Sequence, residues 1–278
     1  RIRPNLHSAT LKLVDWPKAD LRRFEMENAD FSGANLESTL LIATRAAGAN
    51  FSSACLRGAR LRKIKARGAD FQDADLREAT ACNGLFAKAL LCRANAISSS
   101  FAHAGLCEAN LTEASFRDSN FRQAFLDHAF VTDTDFTNAD FTGAVLTAVK
   151  LNEAILDRAV FDGADMRGCN LEFVELAAPD FIGARLVEAV MTGSVMPRAN
   201  FGKAILVGAF LADIDWPDAD LRDANLTGVT FHMGSSRSGL VDSVIANEGT
   251  RTGFYSSGYD EHLYHQPEEL RAANLRGA

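Results

Sequence analysis

From Leu6 to Phe231 every fifth residue is apolar, an unbroken run of 46 positions. Most of these centres are Leu or Phe, with Ala46, Ala66, Ala81 and Ala96 as small exceptions. Two residues before each centre the chain usually places Ala, at 29 of the 45 positions from Ala9 to Val229. Immediately before the centre Asp or Asn recurs, as at Asp20, Asp30, Asn50, Asp70, Asn110, Asp140, Asn200 and Asp220. An amphipathic helix repeats near 3.6 and a half-buried strand at 2, so a period of five fits neither. One large and one small inward residue in every five, with polar residues between, suits a chain that turns a corner every five residues.

A second period says how many corners close one circuit. Phe101, Phe121, Phe141, Phe161, Phe181 and Phe201 lie twenty apart, and so do Leu106, Leu126, Leu146, Met166, Leu186, Leu206 and Leu226. Like side chains at this interval are what stacked coils select, each lying on its equivalent below. Four sides of five residues give a square section. Coils at the inter-strand spacing of ~4.8 Å make roughly 11 turns and a rod on the order of 55 Å. Local departures predict local effects. Phe24 is too large for the small inward position and predicts a bulge. Pro179 lacks an N–H and predicts a site where no inter-coil bond is donated. Residues 39–48 and 80–99 have weaker centres and predict a narrower core.

The tandem pentapeptides ANLES, ADLRE, ANLTE, ADFTG and ADLRD carry a resemblance to the pentapeptide-repeat family, over residues 6–231. That resemblance implies an all-β fold, a right-handed parallel quadrilateral β-helix. The expected organisation is a β-helix over 1–231 and an irregular segment over 232–278. The latter holds HMGSSRSGLV and EGTRTGFY, reads as loops with a short strand near 240–245, and has a helix-start pattern at Pro267, Glu268 and Glu269. Leu275 resumes the repeat out of phase. With Arg1 in place of a starting Met, this reads as a chain continuing into further repeats.

The net charge of −7 conceals a dipole: residues 1–100 are net +6, residues 101–231 net −11 and residues 232–278 net −2. The densest basic stretch, RGARLRKIKARG, contributes Arg57, Arg60, Arg62, Lys63, Lys65 and Arg67, a band round roughly three sides of a coil. It reads either as a solvated face or as a dock for an acidic protein. Nucleic acid is disfavoured, because no aromatic residues interleave with the charges. Asp213, Asp218 and Asp223 are surplus to the Asp/Asn position and read as an acidic ladder. Asp15-Trp16-Pro17-x-Ala19-Asp20-Leu21-Arg22 recurs as Asp215 to Arg222, by chance or for docking or capping at the ends. Arg237 in GSSRSG and Arg251 in EGTRTGFY sit in glycine-rich loops that either cap the solenoid or bind an anion or partner.

Catalytic and metal chemistry find little support. His232, His262 and His265 lack ligand spacing for zinc. Ser235, Ser236 and Ser238 lack a nucleophile elbow. No cofactor is expected. Five cysteines without paired spacing read as small residues in a reducing, cytoplasmic compartment, and no apolar run approaches the ~20 residues of a membrane span. The family resemblance implies a non-enzymatic interaction scaffold. The tail stretches FHMGSSRSGLV and EGTRTGFY resemble pentapeptide-repeat proteins encoded with type VI secretion spikes, which implies an adaptor whose partners are spike or effector proteins. Some family members mimic duplex DNA and bind type II topoisomerases, giving quinolone resistance. Here the basic first hundred residues weigh against that alternative.

Overall fold

One pentapeptide shows how the fold closes. In the computed structural model, which describes residues 4–231, the N–H of Phe31 donates to the Asn50 carbonyl at 2.7 Å and that of Gly33 to the Ser52 carbonyl at 2.8 Å. Both bonds run to the next coil. The N–H of Asp30 donates to the Ala9 carbonyl of the previous coil at 2.9 Å, and that of Ala34 closes the corner on the Phe31 carbonyl at 3.0 Å. The fifth, Ser32, donates to Oδ1 of Asp30 at 3.0 Å. Every backbone donor is thereby satisfied. This accounts for the Asp/Asn before each centre, whose side chain caps the corner it introduces.

Repeated, this unit gives one-residue parallel bridges joining residues twenty apart: Asp30 to Asn50, Asn50 to Asp70, Asp70 to Leu90. The chain divides into two compact units, Arg1–Ala159 and Val160–Ala278. The described residues of each form a right-handed parallel quadrilateral β-helix with twenty residues per coil. The expected change of architecture after Phe231, with its strand, helix and resumed repeat, lies outside the described residues. Each corner requires a left-handed residue. Every fifth residue from Ser8 to Gly228 except Glu153 has φ between 50° and 68°. At Leu151–Glu153 a single 3-10 turn replaces the usual corner. Asn, Asp and Gly tolerate this conformation best. Leu13 and Phe173 also adopt it, and both are exposed. Their side chains lie over Gly33 and Gly193, where an added Cβ would come within 2.7 Å of Leu13 and 2.5 Å of Phe173.

The core is a stack of rings. Phe31, Phe51 and Phe71 stack at centroid distances of 5.4 and 5.0 Å, and Phe101, Phe121 and Phe141 at 5.6 and 5.0 Å. Phe116 stacks on Phe136 at 5.8 Å. In the second unit Phe161, Phe181 and Phe201 stack at 5.3 and 5.1 Å, and Trp216 meets Phe201 edge-on. Leu106, Leu126, Leu146, Leu186 and Leu206 are buried beside them. Across residues 80–99, Phe86 meets Phe71 and Phe101 edge-on, carrying the aromatic path past Ala81 and Ala96. Its ring lies over Gly84: a Cβ there would sit 2.3 Å from Cε2, so Gly replaces the usual small Ala. Ser and Thr in that small inward position keep their hydroxyls bonded, as Thr44 does to the Leu21 carbonyl at 3.0 Å and Ser194 to the Leu171 carbonyl at 2.6 Å.

Phe24 makes no bulge. Its N–H still closes the corner on Leu21, and Glu25 keeps its bridges to Asn5 and Arg45. The ring escapes the core instead, half-exposed beside Ile42 in a surface recess, so the backbone need not move. Pro179 occupies a position whose N–H closes a corner and donates to no other coil, and its carbonyl still accepts from Asn200 at 2.9 Å. Removing the most connected ring tests the stacking. Phe121 touches Phe101, Phe116, Phe136 and Phe141. Phe121→Ala is expected to cost ~3–5 kcal/mol in chemical denaturation. A loss below ~1 kcal/mol would mean the rings do not carry the core.

Candidate functional site

Surface charges meet across neighbouring coils and within one coil. In the first unit Asp73 holds Arg93 at 2.8 Å, Glu25 holds Arg45 at 3.2 Å and Lys88 meets Glu108 at 3.1 Å, each pair one coil apart. In the second, Asp165 meets Arg185 at 3.6 Å. A second device is local. Asp20, Asp75, Asp165 and Asp220 each bind the arginine two residues on, and Asp20 grips Nε of Arg22 at 2.8 Å. The side chains flank one buried centre, so both point outward and meet. This explains most of the recurring eight-residue motif: Asp20–Arg22 and Asp220–Arg222 are two of these clasps. Pro17 and Pro217 fill the one position whose N–H donates to no other backbone group, and Trp16 and Trp216 are centres.

Against that pairing, the basic band stands out. Arg57, Arg60, Arg62, Lys63, Lys65 and Arg67 are all exposed. Arg57 pairs with Glu78 at 3.1 Å. Arg60, Arg62, Lys63, Lys65 and Arg67 have no ion pair among the described residues. The reason is the register. Twenty residues either way, Arg60 meets Leu40 and Thr80, Arg62 meets Ile42 and Cys82, and Lys63 meets Ala43 and Asn83. Lys65 meets Arg45 and Leu85, and Arg67 meets Ala47 and Ala87. No carboxylate stands above or below any of them. Five unmatched cations thus occupy two adjacent sides of one coil, next to half-buried Leu40 and Ile42 and exposed Leu85. Such a face attracts anions and retains a field that a paired surface cancels.

The acidic candidates differ. Asp213, Asp218 and Asp223 lie five apart, so they occupy three successive sides and form no ladder; a ladder needs a step of twenty. All three are left-handed corner residues, a position Asp suits on conformational grounds alone. Arg237 and Arg251 lie outside the described residues, as do His232, His262, His265 and the three serines. No group of three or more metal-binding side chains is assembled, and no helix is long and apolar enough to cross a membrane, among the described residues. Cys55, Cys82, Cys92 and Cys107 form no disulfide among the described residues, and burial pushes the Cys92 and Cys107 thiols up.

The clasps predict a titration. The hydrogen bond from Arg22 pulls the Asp20 carboxyl from its ordinary 3.8 down to about 2. Its folded pKa is depressed, so the pair's contribution is full above the ordinary value and fades as pH falls toward 2. Arg22→Gln is expected to return the Asp20 midpoint toward 3.8 in carbon-detected carboxyl NMR. An unmoved midpoint would show that the capped backbone N–H, rather than the arginine, holds it down.

The profile of the family described as pentapeptide repeats matches the chain in eight copies, over residues 5–41, 47–80, 99–138, 114–152, 139–176, 169–213 and 204–234. No curated protein sequence matches. Among solved structures, HetL, a pentapeptide-repeat protein involved in heterocyst differentiation regulation in the cyanobacterium Nostoc sp. strain PCC 7120, is 26% identical, with 84% of this chain and 93% of that chain covered and a TM-score of 0.32. Trypsin-treated QnrB1, a plasmid-mediated fluoroquinolone resistance protein, is 20% identical, with 74% and 91% covered and a TM-score of 0.29. A thylakoid-lumen protein of Arabidopsis thaliana is 26% identical, with 41% and 65% covered and a TM-score of 0.23.

Proposed function

The chain belongs to the pentapeptide-repeat family, and on that premise we propose that it is a non-enzymatic protein-interaction scaffold whose basic band, Arg60 to Arg67, docks an acidic protein. The observation that carries this reading is a group of five exposed cations on two adjacent sides of one coil that have no ion pair among the described residues and no carboxylate twenty residues either way. A rigid backbone holds those charges in fixed register, so binding orders side chains but no backbone. Loading of effectors in type VI secretion is the finer form of the proposal, and it rests on the tail stretches FHMGSSRSGLV and EGTRTGFY alone.

The carboxylate excess of residues 101–231 favours a second reading, mimicry of duplex DNA toward a type II topoisomerase. The unmatched cations oppose it, because a DNA-binding groove is itself basic and repels them. One set of variants separates the two. Reversing Arg62, Lys63 and Lys65 to Glu leaves the fold intact, since exposed charges contribute little to stability. It is expected to abolish binding of a labelled glutamate-rich peptide, which in the native protein weakens steeply with salt. Gyrase supercoiling is expected to proceed unchanged in the presence of the native protein. Peptide binding that survives reversal would return the band to a solvated face. Gyrase inhibition by native and reversed proteins alike would favour the mimic.

A further inference from the structure

On two adjacent sides of the first unit the capping position before the centre is taken over by large apolar residues. Leu85, Gly105, Phe125 and Val145 follow one another up one side, each bridged to the next. Leu90, Asn110 and Phe130 follow one another up the neighbouring side. Leu85, Leu90, Phe125 and Phe130 are 52%, 37%, 48% and 60% exposed, far from the buried state such side chains favour. Asp or Asn in these positions caps the corner that follows, so the apolar residues forgo a bond that the fold uses elsewhere.

The patch has shape. Gly105 lies between Leu85 and Phe125, and a Cβ added to it would meet only Leu85, at 3.7 Å. It leaves a notch two coils wide, ~10 Å between the flanking rungs. The rim has a sign. Glu113 and Asp133 stand at corners one coil apart beside Phe130, with Glu153 twenty residues on in the 3-10 turn, so like charges follow one another at a step of twenty. Glu113, Asp127 and Asp133 have no ion pair among the described residues, and the Asp127 carboxylate accepts the Cys107 thiol. The cations on the coils of the patch are engaged, Lys88 by Glu108, Arg93 by Asp73 and Lys150 by Glu153, while the unmatched Lys65 is bridged to Leu85 at its lower end. Cys92 and His128 are the remaining titratable groups on these sides.

We propose that this patch is a second docking surface, for a basic amphipathic segment of a partner protein, which seats an apolar side chain in the Gly105 notch against Phe125 and places Lys or Arg on Glu113 and Asp133. Opposite-charge complementarity selects a cationic occupant, and relief of the stacked carboxylates adds to it. The scaffold then offers two chemically opposed faces on one unit.

The test uses the full chain and three labelled peptides of one length, alternating Leu/Lys, Ser/Lys and Leu/Glu, in fluorescence anisotropy. Leu/Lys is expected to bind, with Ser/Lys and Leu/Glu at least about tenfold weaker. Phe125→Ser with Phe130→Ser, Gly105→Gln, and Glu113→Gln with Asp133→Asn are each expected to weaken Leu/Lys by about tenfold or more. All change exposed or open positions, and circular dichroism checks that they remain folded. Gly105→Gln adds bulk without removing apolar surface, so its effect reports the notch. A variant reversed at Arg62 and Lys63 alone, which leaves Lys65 beside Leu85 in place, is expected to bind Leu/Lys unchanged, so this inference fails or stands apart from the basic band. Equal binding of Ser/Lys, or indifference to the three variants, would overturn it. So would a dimer in sedimentation equilibrium that Phe125→Ser with Phe130→Ser dissociates, because a second copy would then own the patch.

Discussion

The fold depends on hydrogen bonds that tie each coil to the next at a fixed offset. Away from the 3-10 turn, a centre's N–H typically reaches the carbonyl nineteen residues on, as Phe31 does to Asn50, and the corner residue's N–H does the same, as Gly33 does to Ser52. Once that offset is set, every side chain has an assigned neighbour twenty residues away. Rings stack because Phe recurs at twenty, glycines open where a residue twenty before leans over them, and Asp73 reaches Arg93 across the same step. Core packing and surface electrostatics are two consequences of one backbone register.

The left-handed corner is what this arrangement costs. A non-glycine residue there gives up roughly 1–2 kcal/mol relative to the right-handed alternative. The chain places Ser, Asp, Asn, Glu, Lys, Arg and even Phe at these corners. No single corner bond offsets that cost. The closing hydrogen bond, two inter-coil bonds and the burial of one large and one small side chain per five residues together do. Such a solenoid is stabilised by nearest-neighbour contacts between coils, so each surface can vary without disturbing the others. That freedom allows one unit to carry an unmatched basic band and, on other coils, an apolar patch with an acidic rim.

Much of this was legible in the residues. The period of five and its recurrence at twenty gave the four-sided coil and the stacking of Phe101, Phe121 and Phe141. The recurrence of Asp or Asn before the centre was plain, and Pro179 announced its harmless site. The corner conformation was hidden, because Gly holds it at only some corners, such as Gly33, Gly48 and Gly58, and the sign of φ leaves no hydrophobic trace. For the same reason Asp213, Asp218 and Asp223 looked surplus when their backbone conformation accounts for them. Phe24 misled because size excludes a ring from the core without forcing the backbone to bulge. The charge pairing was present in the sequence too: the step of twenty that aligns Phe with Phe also aligns Asp73 with Arg93 and leaves Arg60 to Arg67 with none.

That last contrast is the centre of the account, and supplying the missing partners tests it. Thr80→Glu, Asn83→Asp and Ala87→Glu place carboxylates one coil above Arg60, Lys63 and Arg67. Each site has a precedent in this protein for contact at that offset: Glu25 with Arg45, Asp73 with Arg93, and Cys107 with Asp127. No cation is removed. The measurement is binding of the glutamate-rich peptide by the triple variant across a salt series. The account predicts that binding is lost and its salt dependence with it, while the thermal transition is unchanged. Undiminished binding would contradict it, because the charges would then act independently of the register that leaves them unmatched.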